Sequence, residues 1–304
     1  MPFYGRQNSE RNVSMNLKYT SPRVFFPKSI SEALERNRSE ADAVFWAGGT
    51  HLSRYTENKT VISLPKNVIS LGMVEELARA SRSEHSLEIG SMMTLDRLAA
   101  IGRNTLPAGL YDAIIRIGSR PMRCRATIGG HLAVKDKIGD LRPLLQLLET
   151  TVETRSLKER HGRRKALSLT RKFPIALLEG KPGLGGGELI CRISIPTESW
   201  DYGTYKKIIP TEDEERFFIF TALARVEKEV LTDLRMAFSD GYTGVLRDRD
   251  VEVGMAGRPL RLNTKELESL DDAVDTITEP WEKRDYEKET AKRLVRSFMN
   301  HISR

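Results

Sequence analysis

Two paired-glycine loops, Ala47-Gly48-Gly49-Thr50-His51-Leu52 and Arg125-Ala126-Thr127-Ile128-Gly129-Gly130-His131, limit what this chain can fold into more than any other feature. Adjacent glycines reach backbone angles closed to other residues, bring N–H groups close to another backbone or an anion, and are joined here by a threonine hydroxyl. The first pair terminates the apolar run Ala43 to Ala47, the pattern of a buried strand that delivers its end to a glycine turn. Singly, such a turn fits an ordinary tight turn as readily as a ligand loop.

The surrounding sequence alternates short strand-like and helix-like runs. Ser29 precedes a helix as cap, with Glu32 spaced for a capping box. Thr60 to Leu64, Val68 to Leu71 and Ser86 to Ser91 read as strands, and Thr94 caps a helix that starts at Leu95. A further helix is expected over Leu110 to Ile117, then a loop from Gly118 to Gly130, and a closing strand that runs from Gly187 to Pro196. Beyond it come a strand at Tyr202 to Ile209, an apolar helix at Arg216 to Arg225, a strand at Val230 to Phe238, and an amphipathic helix at Asp285 to Ile302. This order indicates an α+β or α/β fold, and 304 residues suit two domains better than one long one.

The net charge of +7 raises nucleic acid as a partner, but basic and acidic residues are interspersed. The densest basic run, Lys158 to Lys172, lacks aromatic residues on which bases would stack and reads as a solvated hairpin or helix edge. No apolar run is long enough to span a membrane and no secretion signal is visible, so membrane insertion is not expected and a cytoplasmic location is. Two cysteines, Cys124 and Cys191, are too few for an iron-sulfur cluster or structural zinc. Redox chemistry would therefore need a bound organic cofactor or a partner.

Together, the two loops and their surroundings resemble the FAD-binding subunits of the molybdenum hydroxylase family, of the xanthine dehydrogenase and carbon monoxide dehydrogenase type. The resemblance rests on Ala47 to Leu52, Ile89 to Thr94, Arg123 to His131, Gly139-Asp140, Pro143 to Leu148 and Gly187 to Pro196. It continues more loosely through Tyr205-Lys206-Lys207 and Thr232 to Ala237. It implies a two-subdomain, p-cresol-methylhydroxylase-type (PCMH-type) FAD-binding domain at 17–197. A smaller α+β domain, an antiparallel sheet with helices, would follow at 198–304. Residues 1–16 are expected to be a disordered extension, with Met15 as an alternative start.

The resemblance also implies that FAD is held by Ala47, Gly48, Gly49, Thr50, His51, Leu52, Thr127, Ile128, Gly129, Gly130 and His131. The first loop would hold the pyrophosphate, and Asp140 would meet ribityl or ribose hydroxyls or, on its own chemistry, cap the following helix. Catalytic side chains and metal ligands are not expected in this chain. Electrons would pass from a 2Fe-2S small subunit, fed by a molybdopterin-binding large subunit, through FAD to NAD or another acceptor. His51, His131 and the Lys135-Asp136-Lys137 segment depart from the family pattern. They motivate one alternative, a non-catalytic assembly subunit that has lost FAD; a stand-alone flavin oxidoreductase is another. The glycine tract Gly183 to Gly187 precedes a strand and reads as a hairpin loop instead of a nucleotide fingerprint.

Overall fold

The computed structural model describes residues 22–51, 65–135, 138–158, 166–179, 183–209, 217–281 and 284–304. The expected strand at Thr60 to Leu64, the amino-terminal extension and Leu52 lie outside the described residues. Strands β1 (Arg23–Phe25), β2 (Ala43–Trp46) and β3 (Asn67–Ser70) form a parallel sheet of order β1-β3-β2. Helix α1 (Ile30–Ser39) contributes Ile30, Ala33 and Leu34 to the core beneath it. Ser29 Oγ accepts from the Glu32 amide, as a cap should, but the Glu32 carboxylate accepts from Lys28 N, one residue earlier than a capping box requires. Strand β2 is half-buried where a buried strand was expected, because it lies at the edge of this sheet among the described residues.

A second sheet is antiparallel, of order β4-β5-β8-β6-β7, with β4 (Ala80–Arg82), β5 (Ser86–Gly90), β6 (Thr151–Lys158), β7 (Leu167–Pro174) and β8 (Leu189–Pro196). The basic run is thus a hairpin of β6 and β7, with its turn residues 159–165 outside the described set. The closing strand β8 lies in the middle of the sheet, between β5 and β6. Helices α2 (Leu95–Ala99) and α3 (Leu110–Ile115) share its core. The span Gly118 to Gly130, expected as loop, holds two short helices, α4 (Arg120–Arg125) and α5 (Ile128–Leu132). Pro121 in the first turn of α4 and the Thr127 cap of α5 start them locally, in stretches too short to show helical periodicity.

The third sheet has order β12-β11-β10-β9, all antiparallel: β9 (Tyr202–Ile208), β10 (Phe218–Glu227), β11 (Val230–Ser239) and β12 (Val245–Leu246). Strand β10 occupies the place where an apolar helix was expected at Arg216 to Arg225; Arg216 itself lies outside the described residues. It is central and buried on both faces. Phe218, Phe220, Ala222 and Ala224 enter the core shared with α8 (Thr264–Ile277) and α9 (Asp285–Ile302), while Ile219 and Leu223 enter the core beneath α6 (Arg142–Leu147). A strand buried on both sides shows no alternation of apolar and polar residues, so its sequence cannot be told from a buried helix. Helix α9 matches its expected span, burying Ala291, Val295, Phe298, Met299 and Ile302.

Helix α8 begins with a full capping box, in which Asn263 Oδ1 accepts from Glu266 N at 3.0 Å and Glu266 Oε2 accepts from Asn263 N at 2.8 Å. Asn263→Ala removes the bond accepted by its side chain and should lower stability by about 1 kcal/mol in urea unfolding. A change within error would show that the cap is not holding the helix.

Candidate functional site

The strand β2 ends at Trp46, with Ala47 between it and the first glycine pair. Gly49 has φ +72°, the left-handed region, and a Cβ there would lie 2.5 Å from the Trp46 indole. Gly48 is closed differently, since an added Cβ would sit 1.8 Å from the Arg125 carbonyl oxygen. Among the described residues, the Gly48 and Gly49 amides donate to no protein acceptor. Consecutive N–H groups around a left-handed residue form a concavity suited to an anion. Thr50 and His51, which follow, are each engaged within the chain.

The second loop meets the first. Gly130 faces Ala47, and a Cβ on Gly130 would be in ordinary contact, at 3.7 Å, with that of Ala47. Its own donors are already committed: Ile128 N to Met93 O at 3.0 Å, Gly129 N to Ser91 O at 2.9 Å, and Gly130 N to Thr127 Oγ1 at 3.1 Å. Gly129 lies tight against Ser91, whose buried hydroxyl has no hydrogen-bond partner. The structure therefore brings Ala47 and Gly48 against Arg125, Ala126 and Gly130, the second loop buttressing the first. The residues present fit a pyrophosphate at the first loop, where the uncommitted donors are; at the second, Thr127 and Gly129 face the protein.

His131 and Asp140 form a separate clamp. The His131 Nε2 accepts from the Leu141 amide at 3.2 Å, so that nitrogen carries no proton, and the imidazole packs on Gly139. The Asp140 carboxylate does not cap the next helix: α6 starts at Arg142 without a side-chain cap. It instead holds Lys207 Nζ at 2.7 Å, and Lys207 also lies 4.2 Å from the Phe217 ring centre. The Tyr205 hydroxyl donates to the Asp140 carbonyl at 3.2 Å. Burial, then the Asp140 charge, hold the Tyr205 phenol well above its usual range, so it stays a donor. A carboxylate paired with one lysine keeps lone pairs for a sugar hydroxyl.

Sequence reasoning matches Lys207, which comes from β9 on the third sheet, to the family pattern but does not place it beside Asp140, and it does not reach the pair Arg142 and Glu179. A lone arginine inside the apolar stretch Leu141 to Leu148 is the one local signal for that pair. Both line a cleft of about 380 Å³ between the end of α5, the Gly183-Leu184 turn and the Tyr242 to Gly244 turn. Among the described residues, a groove of about 420 Å³ on the third sheet's side is lined by α9 and Arg304 and by no residue of either glycine loop. Burial pushes the Cys191 thiol up to about 12, which leaves it inert, while Cys124 is exposed. Among the described residues no cluster of three or more His, Cys, Asp or Glu side chains is arranged for a metal ion, and no helix is long and apolar enough to cross a membrane.

With this geometry in hand, the sequence of residues 17–198 matches the family described as the FAD binding domain in molybdopterin dehydrogenase. An uncharacterized protein of Escherichia coli K12, YgfM, is 33% identical over 129 residues, which cover 41% of this chain and 46% of that protein. The chain thus spans about half the length of that curated relative. The glyceraldehyde dehydrogenase medium chain of Sulfolobus acidocaldarius is 22% identical over 236 residues, 77% of this chain and 80% of that one. Among solved structures, a carbon monoxide dehydrogenase from Hydrogenophaga pseudoflava, lacking the Mo-pyranopterin moiety of its molybdenum cofactor, superimposes with a TM-score of 0.75 at 21% identity, covering 92% of this chain and 96% of that one. At that identity the likeness speaks for the fold.

Proposed function

The chain belongs to the family of FAD binding domains in molybdopterin dehydrogenases, and from that membership we propose that it is the FAD-holding electron-transfer subunit of a molybdenum hydroxylase complex. The observation that carries the reading is the convergence of the two glycine loops around two amides, Gly48 and Gly49, that have no protein acceptor among the described residues. Those amides would hold the pyrophosphate, with Thr50 and His51 beside them. Ala47 and Gly130 meet without a side chain between them; Ile128 and Gly129 fix that approach through their bonds to Met93 and Ser91, and the Thr127 hydroxyl accepts from Gly130 N. Asp140, kept in place by Lys207, would accept from a ribityl or ribose hydroxyl. His131 would position the segment 139–141 without touching the cofactor.

When bound, FAD supplies the ability to take up and release one or two electrons. The chain's own work is to bind, orient and shield it. A molybdopterin-binding large subunit and a 2Fe-2S small subunit would deliver the electrons, and NAD or another acceptor would remove them; a relative named as a medium chain supports partner chains of other sizes.

The test is direct. The purified chain should absorb in the visible as a flavoprotein and release near-stoichiometric FAD in acid, or, if colourless, should bind added FAD saturably. A chain that is colourless and refuses FAD would replace this reading with that of a non-catalytic assembly subunit.

A further inference from the structure

The hairpin of β6 and β7 takes no part in the function proposed above, yet most of the chain's positive charge is gathered in its sequence. The run Lys158 to Lys172 carries seven lysines and arginines against one glutamate, where the whole chain has a net charge of +7. Strand β7, eight residues long, lies at the end of its sheet and pairs with β6 and with no other strand among the described residues. Every second residue of such a strand turns its N–H and C=O away from the sheet, a ready template for one more strand.

The two faces of that edge differ. Phe173 lies opposite Val152 and is buried in the core under the sheet, whereas Leu169 and Leu167, further out on the same face, are 39% and 40% exposed. The other face presents Ser168, Thr170 and Lys172, all exposed. Lys158 stands opposite Leu167 on β6. Lys158 and Lys172 have no acidic partner among the described residues, while Arg155 and Arg171 are committed to Glu153 and Glu188. Edge strands are ordinarily blunted by shortness, by proline or by charge. Here the one proline of β7, Pro174, closes its inner end, and the outer part is guarded by positive charge alone.

We propose that the edge of β7 docks an extended acidic segment of a partner protein as a sixth strand of this sheet, its apolar side chains on Leu167 and Leu169 and its alternate carboxylates on the face of Lys172. The charge chooses this occupant. A second copy would set one basic hairpin against another, and like charges across a strand pair are destabilising. A nucleic acid would find the cations, but β7 offers it no exposed aromatic ring to stack on, and it would leave the leucines uncovered. An acidic strand uses all three features together: main-chain pairing supplies the affinity, and the alternating side chains supply the selectivity. This docking is independent of whether the chain holds FAD.

The experiment follows, by fluorescence anisotropy, the binding of a rhodamine-labelled octapeptide of alternating valine and glutamate to the full chain. The wild type should bind it, and more weakly as salt rises. Leu169→Ser should weaken binding about threefold or more, and Lys172→Glu about fivefold or more. Both side chains are exposed, and circular dichroism checks that each variant is folded; if Leu169→Ser is not, Lys172→Glu and the peptides decide. Lys265→Glu, exposed on α8, makes the same change of net charge and should bind as the wild type does. Of two peptides N-methylated on alternate amides, one in each frame, one should lose binding and the other keep it. The proposal is overturned if the wild type does not bind, if the hairpin variants leave binding intact, if Lys265→Glu loses as much as Lys172→Glu, or if both methylated peptides behave alike. Tighter binding of a single-stranded RNA dodecamer would overturn it in favour of nucleic acid, and a dimer that sediments without peptide and depends on Leu169 would overturn it in favour of a second copy.

Discussion

Gly48→Ala is expected to separate the two glycine loops, lowering stability by about 3 kcal/mol or more and removing FAD binding with it. The new Cβ would lie 1.8 Å from the Arg125 carbonyl oxygen and 2.6 Å from its carbon. No flexible side chain can move aside there, because the obstacle is backbone at the end of α4, and the adjoining Ala126 N is bonded to Met122 O at 2.8 Å. Overpacking ordinarily costs about 1 to 3 kcal/mol, and a clash with fixed backbone belongs at or above the top of that range. Gly186→Ala is the control, since nothing stands within 4 Å of its Cβ position and its φ is not in the left-handed region. Thermal unfolding and FAD titration of both variants check the pair; a Gly48→Ala protein as stable and as yellow as the control would mean that the loops do not meet in this way.

The second large effect is expected in the third sheet. Glu252 on α7 (Arg249–Met255) holds Arg247 through two bonds, Nε to Oε1 and Nη2 to Oε2, each 2.8 Å, and its Oε1 also accepts from the Met236 amide at 3.0 Å. The two side chains are 12% and 7% exposed, so water screens them little. Glu252→Ala strands a buried guanidinium and a buried N–H of β11 together, and should cost about 3 to 5 kcal/mol in denaturant unfolding. Glu252→Gln with Arg247→Leu keeps an acceptor for Met236 and removes the stranded charge, so the double variant should be the more stable of the two. Equal loss in both would assign the effect to packing and not to the unpaired charge. Arg247 also reaches Gln146 O at 3.3 Å, and Arg235 reaches Leu147 O at 2.8 Å, so these sheet arginines help to seat the end of α6.

The candidate site was legible in part. Both glycine pairs announce themselves, because close backbone approach and the left-handed angle at Gly49 are properties of the residue type. That Gly48 yields to Arg125, and that Gly130 lies against Ala47, is invisible in a linear reading, since each contact joins segments far apart in the chain. The partner of Asp140 was missed for the same reason: the expected choices were a sugar hydroxyl and a helix cap, whereas Lys207 arrives from another sheet.

By itself, the sequence determined what local chemistry can determine. It marked the strands that end at glycine or proline, the caps at Ser29 and Thr94, the amphipathic α9, the family and with it the α+β class. Only the tertiary structure decided that Phe218–Glu227 is a strand and that Gly118 to Gly130 coils into two short helices. It alone set Arg142 beside Glu179 and drew the two loops together. The physical reason is common to all of these: periodicity and turn preference report one residue's relation to its neighbours in the chain, whereas burial on both faces, the desolvation of an ion pair and the approach of two backbones depend on what is packed against them from elsewhere.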